Sequence, residues 1–160
     1  MTRSSASARL SNVIRINVVG TYAVTVVYGR SLDDMVQAGR YDSVHRGIAL
    51  ESFQGLGPGR GIVDIVVIHF NSHISSEDAL MEMYKCGLRS ATLPELLALG
   101  ELYPTLQRKN SIIALGSVFD GGVVGAQVVW LHGWVRERTL SMLPIDCEWN
   151  PFYCFAAVCS

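Results

Sequence analysis

The sequence lacks a surplus of either charge: 13 basic residues face 14 acidic ones among 160, a net charge of −1. A general nucleic-acid binder carries a basic excess, so no nucleic-acid partner is expected. It also lacks the roughly 20 consecutive apolar residues that a membrane-spanning helix requires. The most apolar stretch near the start, Val13 to Tyr28, is interrupted by Arg15, Asn17, Thr21 and Thr25, and no Ala-x-Ala site follows it, so it does not read as a signal peptide. Internal repeats, heptads and low-complexity tracts are missing too, which excludes solenoids and coiled coils. What is present is a core-forming composition: 49% hydrophobic, 17% charged, mean hydropathy +0.28. Disorder is excluded for the chain as a whole, and the length suits one domain. The expectation is a loose Ser/Ala/Arg-rich tail over 1–11 and a single domain over 12–160, with no membrane partner and a cytoplasmic location.

The four cysteines, Cys86, Cys147, Cys154 and Cys159, permit two disulfides in three pairings. Without an export signal the default is free thiols. Cys154 and Cys159 are close enough to be considered as metal ligands, but Phe155-Ala156-Ala157-Val158 reads as a core strand, which places the two thiols on opposite faces.

Periodicity orders the rest. Tyr22, Val24, Val26 and Tyr28 alternate with Ala23, Thr25 and Val27, a β-branched strand pattern. Ser31 can cap a helix over Leu32 to Ala38, with Asp33 and Asp34 at its positive end. The run Gly55-Leu56-Gly57-Pro58-Gly59-Arg60-Gly61 could suggest a phosphate cradle, but it leads into the strand Ile62 to Phe70 instead of a helix. That strand is apolar on both faces apart from Asp64 and is expected to be central in its sheet. Ser75 and Asp78 have capping-box spacing before a helix with a buried stripe of Ala79, Leu80, Met83 and Tyr84. Thr92, Pro94 and Glu95 start a better-signalled third helix, with Leu93, Leu96, Leu97 and Gly100 along one face, which ends before Pro104. Strands are expected over Ser111 to Phe119, Val123 to Leu131, Trp134 to Leu143 and Tyr153 to Val158, with turns at Gly121-Gly122 and His132-Gly133. Strands, then helices, then strands describe an α+β fold with an antiparallel sheet and two or three short helices.

No catalytic set is coherent. His69 and His73 have metal-pair spacing for a helix, but His69 ends a strand. His45 and His132 read as isolated surface or turn residues. There is no Gly-x-Ser-x-Gly elbow, and Cys86 has no evident base. Neither a metal nor a cofactor is expected. Asp64 would have a raised pKa if buried and marks, with His69 and His73, the place where a small enzyme would carry its site. Trp130, Trp134 and Trp149 gather in the last third with Phe152 and Tyr153. They form either an aromatic recognition surface or the core of the small sheet. Arg136, Glu137 and Arg138 read as a solvated strand face.

Motif-level similarity supports the same architecture. Ile68-His69-Phe70-Asn71, Ile74 to Leu80, Gly87-Leu88-Arg89, Ala91 to Gly100, Tyr103-Pro104-x-Leu106-Gln107-Arg108 and Ile113 to Phe119 resemble a family of small bacterial proteins without an assigned activity. The likeness covers about half of the chain and carries no catalytic residue across. The order strand, helix, Gly-Leu-Arg-Ser-Ala-Thr, helix, strands is also similar, more distantly, to C-type-lectin-like and sulfatase-modifying-factor-like domains. Trp149-Asn150 is followed by Pro151 where true C-type lectins carry an acidic calcium ligand. The lack of a coherent catalytic set together with the aromatic-rich final third points to a non-catalytic binding module, C-type-lectin-like in architecture, that meets a protein or a glycan-like ligand through its C-terminal strands and loops, with Trp130, Trp134, Trp149, Tyr153, Arg136 and Arg138 as candidate contacts.

Overall fold

The structure is a computed structural model that describes residues 13–48 and 59–160. The tail over 1–11 and most of the glycine-rich run lie outside the described residues. The strands are β1 (Ile16–Val27), β2 (Ser43–Val44), β3 (Arg60–Phe70), β4 (Ile74–Ser75), β5 (Leu88–Ser90), β6 (Ser111–Asp120), β7 (Ala126–Trp134), β8 (Glu137–Pro144), β9 (Glu148–Trp149) and β10 (Tyr153–Cys159). The helices are α1 (Leu32–Ala38), α2 (Ser76–Lys85), α3 (Leu93–Leu102) and α4 (Leu106–Lys109).

Eight strands form one sheet in the order β1-β3-β10-β6-β7-β8-β2, with β5 pairing β10 off this path, and β4 pairs β9 separately. The α+β class holds. The sheet is mixed, not purely antiparallel, because β10 runs parallel to β6 and β2 parallel to β8. The last strand enters the middle of the sheet, beside β3 over Ile65 to His69. Its Tyr-Cys-Phe-Ala-Ala-Val-Cys composition suits a strand buried on both faces.

On its other edge β10 pairs first with Ser111 to Ile113 and then with β5. The chain of β6 turns aside there, with a register shift between Ala114 and Val118. Gly116 lets it pass, since a Cβ at this position would sit 2.5 Å from the Ala91 carbonyl oxygen, and the Gly116 N–H donates to that same oxygen at 3.0 Å.

Alternation along the strands sorts the core into two clusters. Val24, Val26, Ile65, Val67, Ile112, Val129, Leu131 and Ala156 pack on the first face with α1 and α3; Ile68, Phe70, Ile113, Val128, Phe155 and Ala157 pack on the second with α2 and Trp149. Cys154 belongs to the first cluster while Cys159, five residues on, is exposed.

The caps behave as their sequences predict. Ser31 and Ser75 accept from Asp34 N and Asp78 N, each at 3.1 Å. Glu95 is fully buried, accepts from the Thr92 N–H at 3.1 Å and is held by the Arg89 guanidinium at 2.9 and 3.0 Å. That double contact neutralises a carboxylate that could not otherwise be taken from water.

Two helix expectations are corrected. In α2 only Ala79 and Met83 of the expected stripe are buried, both in the second cluster; Leu80 and Tyr84 are exposed. In α3 every residue from Leu93 to Gly100 is buried, so this helix lies in the core and has no wet face over that span. The expected turn at His132-Gly133 is also displaced. Both residues belong to β7, and the turn falls at Val135-Arg136, between the paired Trp134 and Glu137.

Candidate functional site

The β7–β8 hairpin carries most of the residues singled out from the sequence, and the two faces of the sheet divide them. Arg138 lies opposite Gly133 in the ladder and points to the first face. The expectation of a solvated Arg136-to-Arg138 face is wrong for this residue: Arg138 is 4% exposed. Its guanidinium donates to the carbonyl oxygens of Gly39 and Gly100, the latter at 2.7 Å, and to Gln107 Oε1 at 3.0 Å. It also lies over the Tyr41 ring, 4.9 Å from the centroid. Gln107 completes the arrangement by donating through Nε2 to His132 O at 2.9 Å and Thr139 O at 3.1 Å. A planar fork that satisfies several oxygens at once is what arginine supplies and lysine does not. These contacts tie both strands of the hairpin to α4, to the end of α1 and to α3.

Side chains on the second face form an aromatic row. The rings of Trp130 and His132 stack with centroids 3.9 Å apart, Trp130 meets Tyr153 at 5.8 Å, and Tyr153 meets Trp149 edge-on at 5.2 Å. From there Trp149 and Phe155 continue into the core at 6.2 Å. Trp130, His132 and Tyr153 are half-buried. Burial pushes the His132 imidazole below its ordinary value, with Glu137 opposing, because a low-dielectric neighbourhood disfavours the cation.

The three tryptophans therefore have three environments. Trp149 is 1% exposed and its indole N–H donates to Ser76 Oγ at 2.8 Å, so it pins the β9 loop to the start of α2 and is not available as a contact. Trp130 forms part of the row. Trp134, 76% exposed, stands at the hairpin tip next to Val135, 85% exposed, and Arg136, also exposed. Gly133 makes this tight tip feasible, since a Cβ there would meet the Glu137 carbonyl oxygen at 2.3 Å.

The turn itself is unusual chemically. Two-residue hairpin turns favour Asn, Gly or Asp because they need positive φ, yet Val135 and Arg136 occupy it, and of the described non-glycine residues only Arg40 has a positive φ. With no positive φ there, the turn accepts most residues, so its backbone does not dictate these two side chains. Val135 and His132 are the site residues that sequence reasoning missed. His132 was readable, since it lies two positions from Trp130 and so shares its face; Val135 was hidden by the misplaced turn.

The alternative triad does not assemble. Asp64 and His69 are five residues apart on β3, so their side chains leave opposite faces of the sheet. Asp64 and His73 are exposed, while His69 is half-buried with no partner for Nδ1. Although β3 is internal where β10 flanks it, Asp64 lies just beyond the paired Ile65 to His69 and is therefore wet. Two open clefts of about 440 and 550 Å³ are lined respectively by Ser76, Leu80, Ile145 and Cys147 and by His45, Asp120, Gln127 and Met142; neither touches the aromatic row. No group of three or more His, Cys, Asp or Glu side chains that could hold a metal occurs among the described residues. Among them, too, no helix is long and apolar enough to cross a membrane.

No protein-family model matches this chain, and no curated protein or solved structure matches it.

Proposed function

We propose that the chain is a binding module that engages a protein ligand through its C-terminal strands and loops, with the β7–β8 hairpin tip as the principal contact. The observation that carries this reading is the exposure of three consecutive residues, Trp134, Val135 and Arg136, on a turn whose own chemistry does not call for them. Tryptophan and arginine dominate binding hot spots because each combines a large contact area with a directional polar group. A rigid base adds to the effect, since ordering a loop on binding consumes part of the interaction energy. The Arg138 and Gln107 contacts provide that base.

A glycan-like ligand is the second reading, and the half-buried row of Trp130, His132 and Tyr153 favours it, because sugar C–H faces stack on aromatic rings. Either ligand is compatible with a C-type-lectin-like module.

One experiment separates these outcomes: panning a displayed random-peptide library and an oligosaccharide array against the purified chain, then repeating with Trp134→Ala, Arg136→Ala and Trp130→Ala. The protein reading expects peptide ligands whose affinity falls roughly 30-fold or more with Trp134→Ala, while the thermal midpoint is unchanged. Sugar hits lost only with Trp130→Ala would move the site to the row. Ligands indifferent to all three variants would refute both.

A further inference from the structure

The first half of β3 leaves the main sheet behind. β10 accompanies β3 only over Ile65 to His69, so Arg60 to Asp64 pair with β1 alone and form a two-stranded ribbon with Ala23 to Val27. The first face of this ribbon is covered, since Val24 and Val26 are buried in the cluster that includes α3. Its second face is bare among the described residues. Thr21 and Ala23 are exposed and Thr25 half-buried along β1, and Ile62, opposite Thr25 on β3, is 80% exposed. A large aliphatic side chain left in water at the centre of a strand pair loses the roughly 1.5–3 kcal/mol that its burial would contribute.

The charges flanking Ile62 identify the occupant. Arg60 and Asp64 lie two residues to either side of it on the same strand, so all three side chains leave the same face. Both charged residues are exposed, and neither belongs to an ion pair among the described residues. The row basic–aliphatic–acidic is self-complementary under a half-turn. If an identical row is laid on it with the strand direction reversed, aliphatic meets aliphatic and each charge meets its opposite. The flanking β1 residues on this face, Thr21, Ala23 and Thr25, are uncharged and small enough for two sheets to approach at the usual spacing of about 10 Å.

We propose that this bare face is a homodimer interface: a second copy of the chain packs face to face on the β1–β3 ribbon about a two-fold axis through Ile62, pairing Arg60 of each copy with Asp64 of the other. The contact is isologous and closes on itself, so it gives a dimer and not a filament. It lies on a different part of the sheet from the β7–β8 hairpin and stands or falls independently of the function proposed above.

Sedimentation of the full chain over a concentration series tests it, with Ile62→Lys, Arg60→Glu and Asp64→Lys alongside. The wild type is expected to move from 17.5 kDa to twice that mass as concentration rises. Ile62→Lys is expected to remain monomeric, with a thermal midpoint equal to that of the wild type at concentrations where the wild type is itself monomeric, because the side chain takes almost no part in the core. Arg60→Glu and Asp64→Lys each turn both attractive pairs into repulsive ones and should weaken self-association roughly tenfold or more. Mixing those two variants should restore dimers as a heterodimer, and the double exchange Arg60→Asp with Asp64→Arg should restore the homodimer. A wild type that stays monomeric throughout, with Ile62 solvated or covered by another occupant, overturns the proposal. So does a dimer indifferent to all of these substitutions, or a mixture that fails to recover.

Discussion

Arg136 and Arg138 are separated by one residue on the same hairpin, yet their removal should have opposite consequences. Arg138→Ala leaves the Gly39 and Gly100 carbonyls and Gln107 Oε1 without their donor in a site that is 4% exposed. Each buried acceptor left unpaired costs about 1–3 kcal/mol. The losses are not additive, since water can enter the space the side chain vacates, and a net destabilisation of about 3–5 kcal/mol is expected. With an unfolding entropy of about 2.1 cal/mol/K per residue, this lowers the thermal midpoint of a 160-residue chain by about 9–15 °C. Arg138→Lys keeps the charge but not the fork and should fall between the two. Arg136→Ala, in contrast, should alter stability by less than about 0.5 kcal/mol and show its effect only in ligand binding. Urea and thermal unfolding of the three variants measure this directly. A chain that tolerated Arg138→Ala within about 1 kcal/mol, or that lost as much stability with Arg136→Ala, would show that the guanidinium does not hold the hairpin.

Trp149 should likewise behave as a core residue: Ser76→Ala strips the acceptor from its buried indole N–H, and unfolding in urea should report a loss of about 1–3 kcal/mol. Burial of the Cys154 thiol pushes it up from 9.0 to about 11, so at pH 8 a thiol reagent should label the exposed Cys86 and Cys159 and leave Cys154 unmodified until the chain unfolds; early labelling of Cys154 would contradict its placement in the first cluster. His132 titrates below 6.5 in the folded chain, whereas the unfolded chain takes up its proton near 6.5. As pH falls through the interval between the two values the unfolded state binds more protons, so stability declines on acidification and is fully present above 6.5. NMR titration of His132 together with midpoints measured across that interval should agree in sign, and Trp130→Ala should bring the His132 value back towards 6.5.

Local chemistry made much of the architecture readable. Ser31, Ser75 and the Thr92 to Glu95 box announced their helices because a cap is a contact between residues three apart. β-Branched alternation in β1 and the all-apolar β10 announced strands because side-chain direction repeats every two residues. The clustering of aromatic residues in the last third was equally visible. The sequence did not reveal which of them would be wet. Trp149 and Trp134 have the same side chain, but one meets Ser76, 73 residues away, and the other meets solvent.

What the sequence by itself determined is therefore the inventory of elements, their capping and the mixed α/β character of one domain-sized chain, since these follow from interactions within a few residues. The tertiary structure alone decided that β10 enters mid-sheet beside β3 and parallel to β6, that Arg138 is a buried fork and Arg136 a surface group, and that Arg60, Ile62 and Asp64 face water on an uncovered ribbon. Each of these depends on which distant segments come to lie alongside. A one-residue shift of the β7–β8 turn would have exchanged the inward and outward sets of that hairpin with no change in the local pattern.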